Sequence, residues 1–383
     1  MIKMSLITLL FSSVALEASS LEEAFKNAKV DGYIRGAYQS HNIKDNKTYT
    51  DGAIGGKLHI ETAPISNINA GASFYTSNRV NSSDNRGLVP FRGEDKSSYS
   101  ILGEAYLKGE LGNNSLLKIG RQEIDTPFAQ TDDIGVVPNT FEGAVFTNRD
   151  IEDTTIFLAQ IQKMAGVDAE TVDSFTKINK NRGMQSLGVV YKGFKDLSIS
   201  GWYYNLDRAE ISSISYLEAI YENSYNNLSY GFGVQYANEI YKEDKNSNIY
   251  GVTLSGGVDS IGLTLSSAYT KVNGNRANSG FGGGPFFSNS EYLIIDNAGA
   301  NGEAFWCGLE YDATHIGFDG LNIGLGEVIL TTKDNKQATE IDLVASYDID
   351  KNIEVHLIAS NLDGDSVNED NAKHIRVFAN YNF

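Results

Sequence analysis

The sequence predicts an all-β fold, a single antiparallel β-barrel of about 18 strands that crosses a membrane. Three observations support this prediction. Apolar and polar residues alternate along many short segments, tight turns alternate with long polar loops, and the final segment ends on an aromatic residue. Alternation with a period of two places one face of a strand in apolar surroundings and the other face in polar surroundings.

The alternation is clearest in residues 228–237. Leu228, Phe232 and Tyr236 fall on one face of this segment, whereas glycines and polar side chains fall on the other. Because the second face mixes Gly, Ser and Thr with isolated charges, the pattern favours a lipid-facing exterior around a water-filled lumen over a soluble β-sandwich. Similar runs predict strands at 31–42, 53–62, 67–79, 98–111, 114–123, 141–149, 153–164, 184–193, 196–207, 211–222, 226–239, 246–258, 260–272, 302–312, 319–330, 337–348, 351–361 and 372–383.

The connections between these segments alternate in length. Tight turns are expected at 64–67, 112–113, 150–152, 193–196, 259 and 349–350, and longer polar loops at 80–97, 124–140, 165–183, 273–301 and 362–371. Outer-membrane barrels have short periplasmic turns on one rim and long extracellular loops on the other. Closure of the barrel is expected because an open sheet edge in lipid would leave backbone donors and acceptors unpaired.

The first residues have the pattern of a secretory signal peptide. A short basic start precedes a mostly apolar run, and small residues follow at Ala18, Ser19 and Ser20. The apolar run is too short for a membrane-spanning helix, which needs about 20 residues. We therefore expect a signal peptide at 1–18, with a possible cut after residue 20, and one barrel domain at 19–383.

The last ten residues place five apolar side chains on one face and end on Phe383. This end resembles the C-terminal strand of outer-membrane barrels, which the barrel-assembly machinery reads through the final aromatic residue. The resemblance implies that the chain lies in the cell outer membrane, in contact with outer-membrane lipid and lipopolysaccharide.

Composition excludes several other classes of function. The 49 acidic and 31 basic residues give a net charge of −18, which argues against nucleic acid as a partner. The five histidines are scattered without metal-ligand spacing, and the single cysteine, Cys307, offers no thiolate pair. Because no nucleophile–base pair is apparent, we predict no catalytic residue, no metal, no cofactor and no enzymatic activity.

Residues 118–149 contain the most informative loop, with two of the five prolines and several acids. Basic residues with lumen parity are Arg35, Lys57, Lys118 and Arg376, and Arg121 lies where a strand enters this loop. In a closed barrel the first and last strands are neighbours, so we expect Arg35, Lys57 and Arg376 to share one stretch of wall. The candidate residues of a pore constriction are Arg35, Lys57, Lys118, Arg121, Asp125, Asp132, Asp133, Glu142 and Arg376.

The same stretch resembles the OprD-like outer-membrane porins. The resemblance depends on Thr126-Pro127, on Asp132-Asp133 and on the segment Val-Pro-Asn-Thr-Phe-Glu-Gly at 137–143. It implies an 18-stranded barrel whose third loop folds into the lumen, with basic wall residues guiding anionic solutes past acidic loop residues. Asp132 and Asp133 then correspond to the constriction acids, and Arg35, Lys57, Arg121 and Arg376 to the basic ladder. Two features depart from the family: the ladder is thin, and Glu142 stands where members often carry a basic residue.

These observations predict a porin for the passive diffusion of small hydrophilic, charged solutes, similar to carboxylate-uptake porins. The net charge of −18 leaves a cation-preferring general porin as an alternative. A sugar-type channel would use a line of lumen aromatics, for which Trp202 and Tyr204 on one strand and Trp306 on a separate strand are candidates. A third alternative is a barrel that serves as a surface anchor or adhesion scaffold, which would not conduct ions. Either a monomer or a homotrimer is compatible with the sequence.

Overall fold

A computed structural model of the chain describes residues 18–43, 47–82, 98–178, 183–206, 210–364 and 371–383. The described residues form one antiparallel sheet of nineteen strands. One of these is a two-residue strand, Thr176–Lys177, that lies in a loop, so the wall of the barrel has eighteen. The predicted signal peptide at 1–18 falls almost wholly outside the described residues.

The eighteen wall strands follow one another around the barrel in chain order. They are β1 (Lys29–Ile43), β2 (Lys47–Glu61), β3 (Ile68–Ser82), β4 (Tyr99–Leu111), β5 (Ser115–Gln122), β6 (Thr140–Asn148), β7 (Thr154–Ala165), β8 (Met184–Phe194), β9 (Leu197–Asn205), β10 (Ile211–Tyr225), β11 (Leu228–Tyr241), β12 (Ser247–Val258), β13 (Leu263–Gly274), β14 (Glu303–Asp312), β15 (Leu321–Thr331), β16 (Gln337–Asp348), β17 (Ile353–Gly364) and β18 (Lys373–Asn382).

The barrel closes where β18 pairs with β1, from Tyr33 opposite Asn382 to Asn42 opposite Lys373. This closure leaves no open edge in the wall, as the bilayer requires. Each of the eighteen predicted segments is a strand, which confirms the predicted fold class. The main differences are that β2 begins at Lys47, because its first residues pair with the end of β1, and that a short helix, α1 (Ala18–Lys26), precedes the barrel.

The outer face of the wall carries the apolar residues of the alternating pattern. Ile34, Leu254 and Leu265 are 54%, 55% and 60% exposed, which is costly in water and favourable in lipid. Predicted interfacial aromatics such as Tyr38 and Tyr250 are also exposed on this face. No helix among the described residues is long and apolar enough to cross a bilayer.

Two loops from the long-loop rim enter the lumen. The constriction loop (residues 123–139) connects β5 to β6, and the inner loop (residues 275–302) connects β13 to β14. The sequence predicted 273–301 only as a long polar loop at the rim, yet Leu293 and Ile295 are buried inside the barrel. The two loops are joined by backbone hydrogen bonds from Gln130 to Phe281 and from Phe281 to Phe128, of 2.9 and 3.0 Å.

Candidate functional site

The third loop on the long-loop rim folds into the lumen, as the family resemblance implied. It reaches β1, where the Tyr33 hydroxyl donates to the carbonyl of Val136 over 3.1 Å. Val136 and Val137 are buried in a small apolar cluster with Ala37, Ala53 and other residues of the wall. The loop therefore crosses the barrel and rests on the wall formed by β1 to β4.

Arg35 is the main clamp on this loop. Its Nη1 and Nη2 atoms lie 2.6 and 2.8 Å from the two carboxylate oxygens of Asp133, a bidentate pair. Nη1 also donates to the carbonyl of Gly135 over 2.6 Å, and Nε donates to Asn380 over 2.7 Å. With every guanidinium nitrogen engaged and the residue 7% exposed, Arg35 holds the loop and is not presented to a passing solute.

Arg376 is a second, weaker clamp on the same loop. Its Nη1 atom donates to the carbonyl of Ile134 over 3.4 Å, and Nη2 lies 3.8 Å from Glu291 of the inner loop. The strands that carry Arg35 and Arg376 are neighbours, as barrel closure predicted. The register places Arg376 opposite Gln39, four residues along β1 from Arg35, so the two arginines contact successive parts of the loop.

The two lysines of the predicted set share one buried acid. Lys57 Nζ lies 3.1 Å from Glu104 and 2.9 Å from Glu123, and Lys118 Nζ lies 3.6 Å from the other oxygen of Glu104. Lys118 also sits 3.7 Å above the ring of Tyr106, a cation–π contact. Glu104 is only 3% exposed, so this network is a paired cluster in the wall.

The predicted basic residues that face the lumen are therefore paired with carboxylates. The pairs are Arg35 with Asp133, Lys57 with Glu104 and Glu123, Lys118 with Glu104, and Arg376 with Glu291. Among the loop acids, Asp125 has a local role, because it accepts a 2.9 Å hydrogen bond from the backbone of Thr131. The described lumen wall does not present a row of unpaired cations at this height.

Asp132 has an unusual environment for a carboxylate. It faces Asp168 of the loop after β7, whose carboxylate accepts a 2.6 Å hydrogen bond from Asn139. Burial and the neighbouring charge of Asp168 raise the pKa of Asp132 to about 7, although Arg376 acts in the opposite direction. Asp132 consequently changes charge near neutral pH.

Two of the predicted constriction residues, Arg121 and Glu142, do not face the lumen, and the predicted placement is wrong for both. Lys118, Gly120 and Gln122 have lumen parity in β5, and Gln122 is buried there. Arg121 must then point outward together with Ile119, which is 46% exposed on the lipid-facing side. Alternation from Lys118 within the predicted strand 114–123 is consistent with this outward placement.

Glu142 lies beside Arg121 on the same outer face, directly opposite it in the pairing of β5 with β6. Its carboxylate is 3.3 Å from Arg121 Nε and 2.6 Å from Lys163 Nζ. Arg121 also donates to the carbonyl of Leu102, whose own side chain is exposed on the exterior. These charges form a cluster outside the pore, at the long-loop rim.

The opposite side of the constriction loop is apolar. Phe128 is 1% exposed, and its ring lies 5.4 Å from Tyr204, 5.7 Å from Tyr216 and 5.9 Å from Phe286. Tyr204, a predicted lumen aromatic, is thus part of a core rather than of a water-facing surface. The signal that sequence reasoning missed is the run of phenylalanines in a nominally polar loop, at Phe281, Phe286 and Phe287.

The inner loop is held by two acids of β16. Glu340 accepts hydrogen bonds from the backbone nitrogens of Tyr292, at 3.1 Å, and Leu293, at 2.6 Å. Asp342 accepts a hydrogen bond from the Ser290 hydroxyl. Glycines permit the close approach of the two loops: Gly280 has a φ of +83°, and a Cβ atom there would lie 2.5 Å from the carbonyl oxygen of Phe128.

Two cavities lie along the lumen wall. One, of about 430 Å³, is bounded by Tyr33, Lys57, Glu123 and Asp133 among others. The larger, of about 730 Å³, lies beneath the inner loop and contains Trp306 in its lining. Its lining includes four carboxylates and, among the described residues, neither a lysine nor an arginine; the acids are Glu291, Glu310, Asp312 and Asp342.

Solved structures share this architecture over nearly the whole chain. A BenF-like porin from Pseudomonas fluorescens Pf-5 has 17% identity and a TM-score of 0.82, with 94% of this chain and 99% of that chain covered. Pseudomonas aeruginosa OccK9 (OpdG) has 17% identity and a TM-score of 0.80 over the same shares. Pseudomonas aeruginosa OpdK, solved with vanillate, has 19% identity and a TM-score of 0.75, again over 94% and 99%.

At these identities the structural likeness establishes the fold alone. No curated protein matches the chain in sequence. The sequence profile of the outer membrane porins of the OprD family does match, over residues 33–383. That match spans the barrel wall from Tyr33 in β1 to the end of β18, together with the constriction loop and the inner loop. The chain belongs to the OprD family of outer membrane porins.

Proposed function

We propose that this porin passes small hydrophilic solutes passively and favours cations and zwitterions over anions. The observation that supports the proposal is the pairing of Arg35, Lys57, Lys118 and Arg376 with carboxylates. A cation that already has a carboxylate partner offers little net attraction to a second one. The basic residues then position the loop, and the remaining acids set the sign of the field.

Those remaining acids lie along the proposed path. The constriction holds Asp132 and Asp168 beside each other. The cavity beneath the inner loop is lined by Glu310, Asp312 and Asp342 in addition to Glu291, the partner of Arg376. Pores lined by acidic residues favour cations, because each passing ion exchanges part of its hydration shell for carboxylate oxygens. Binding must also stay weak enough for release, because a solute has to leave the pore as well as enter it.

The relatives provide a useful contrast. OpdK was solved with vanillate, which is an aromatic carboxylate. For the present chain we expect zwitterions to pass, since they carry a carboxylate, as vanillate does, together with a cationic group that the acids attract. We expect a simple carboxylate without a cationic group to pass more slowly.

Liposome swelling distinguishes these solute classes. The purified porin is reconstituted into liposomes, and swelling rates are measured with ethanolammonium, glycine and glycolate, which have similar sizes. The proposal predicts the order ethanolammonium, then glycine, then glycolate. Fastest swelling with glycolate would contradict it, and absence of swelling with all three would instead favour the anchor or scaffold alternative.

A further inference from the structure

We propose that the outer face of β5 to β9 is a binding site for a phosphorylated, multiply acylated lipid of the outer leaflet, with the chemistry of the lipid A part of lipopolysaccharide. Three successive rows of outward side chains carry this inference. Strand register places the members of each row directly opposite one another across the sheet. The rows change from charged to amide to apolar, going from the long-loop rim toward the middle of the wall.

The charged row lies nearest the rim. It consists of Arg121, Glu142, Lys163 and Lys177, each opposite the next in the pairings. Arg121 and Lys163 share the single carboxylate of Glu142, and their side chains remain 34% and 32% exposed. Two cations on one acid leave a net positive charge in this row. Guanidinium and ammonium groups in this arrangement suit a phosphate, which can accept several charge-assisted hydrogen bonds.

The amide row lies one step further from the rim. Its members are Ile119, Ala144, Gln160, Gln185 and Asn205. The three amides form a chain on the exterior, with Gln185 donating to Gln160 over 2.9 Å and Asn205 donating to Gln185 over 3.2 Å. Amides facing hydrocarbon would be costly, so this row belongs at the depth of polar linkages between a headgroup and its acyl chains.

The apolar row follows. Its members are Leu117, Phe146, Leu158, Leu187 and Tyr203. Together with the amide row they line a groove of about 480 Å³ on the outer surface. Ala144, a small side chain between Ile119 and Gln160, lies in this lining beside Phe146 and Leu158, and such a groove can accommodate an acyl chain.

The spacing of the rows fits one molecule. Residues two apart along a strand are separated by about 7 Å, so the three rows together span about 14 Å. A lipid A-type molecule places phosphates, then amide and ester linkages, then acyl chains along its length, in the same order. A free phosphate would not use the groove, and the amide row offers partners to the amide-linked acyl chains of this lipid.

A second pair at the same rim, on β13 and β14, has no such charge excess. There Lys271 pairs with Glu303 over 2.8 Å, with side chains 35% and 36% exposed, so the pair is balanced. Tyr269 donates to the same carboxylate, as in an ordinary interfacial aromatic girdle. Lys271 is consequently a matched control: a lysine at the same rim, in the same kind of ion pair, without the excess cation.

Native mass spectrometry of the full-length porin in detergent micelles tests the proposal. The probes are bisphosphorylated lipid A, the same lipid with both phosphates removed, and inorganic phosphate. The variants are the double substitution Arg121→Gln with Lys163→Gln, the groove-filling Ala144→Trp, and the control Lys271→Gln. Heat-modifiable migration in gels confirms that each variant is a folded barrel.

We expect one lipid A bound per wild-type chain. In the double variant the Kd should increase on the order of tenfold or more, because two charge-assisted contacts are lost. Removal of the phosphates should weaken wild-type binding to a similar extent, Ala144→Trp should also weaken it, and Lys271→Gln should not. Equal binding by the wild type and the double variant would overturn the proposal. So would phosphate alone displacing the lipid, or chain–chain oligomers that disappear in Ala144→Trp, since that result assigns the groove to a second copy.

Discussion

The two sides of the constriction loop are held by different forces. On the side of β1 and β18, Arg35 and Arg376 clamp residues 133–135 through charge-assisted hydrogen bonds. On the other side, Phe128 is buried among aromatic rings. Apolar burial is not screened by salt, whereas charge pairs near water are. The comparison teaches that the loop is positioned in two ways: the aromatic side holds it at any salt concentration, whereas the charged side both clamps the loop and balances charge next to the pore.

The largest expected effect comes from breaking the apolar side. Phe128→Ala leaves a cavity in a packed core and should lower the free energy of unfolding by about 3–5 kcal/mol. The loop should also loosen, so that single-channel conductance rises and becomes noisier. Urea unfolding in lipid vesicles and planar-bilayer recordings measure both effects. The control is Phe305→Ala on the lipid face, and an equal loss of stability in the two variants would contradict the account.

A double-mutant cycle examines the charged side. Arg35→Gln leaves the carboxylate of Asp133 unpaired and should shift the reversal potential toward cations. Asp133→Asn leaves the arginine unpaired and should shift it toward anions. The double variant should return close to the wild-type value, because the two charges cancel in the native pair. Shifts of the same sign in the two single variants, or a double variant that keeps the full shift of either one, would show that the two charges do not balance each other.

A smaller effect concerns pH and the loop acids. Because the pKa of Asp132 is raised to about 7, its carboxyl is mostly neutral below that pH and negative above it. Cation selectivity should therefore increase between pH 5.5 and pH 8.5. Reversal potentials at the two pH values measure the change, which Asp132→Asn should abolish. Asp125→Asn, from the same loop, is the control and should leave the pH dependence in place.

The smallest effect is expected for Arg121. Since this side chain lies on the outer face, Arg121→Gln should leave the reversal potential unchanged within error, in contrast with Arg35→Gln. A shift as large as that of Arg35→Gln would place Arg121 in the conduction path and would contradict the register of β5.

The strands of the barrel wall were predictable because the alternation of apolar and polar residues is visible within a few neighbouring positions. Alternation of residues such as Leu228 and Phe232 with glycines has a period of two, and the bilayer enforces the resulting choice of face. The inward third loop was accessible only through its resemblance to a family. The inner loop was missed, although Phe281 and Phe286 are apolar residues in a loop that water would otherwise surround.

The charge pairs were not predictable from one sequence. Arg35 and Asp133 are 98 residues apart, and their contact depends on how the loop folds across the lumen. Parity correctly assigned Lys57 and Lys118 to the lumen, but it could not reveal that they share Glu104. At Arg121 and Glu142 the alternation along the strands is consistent with the outer face, whereas the resemblance to the family implied a place at the constriction.

The most direct test of the central claim is the reversal potential of the wild-type porin in a planar bilayer with a tenfold KCl gradient at pH 7.5. If the lumen cations are neutralised by their carboxylate partners, the potential should have the sign for a pore that prefers K⁺ over Cl⁻. A potential of the opposite sign, with Cl⁻ preferred, would show that the basic residues act on passing solutes and would contradict the account.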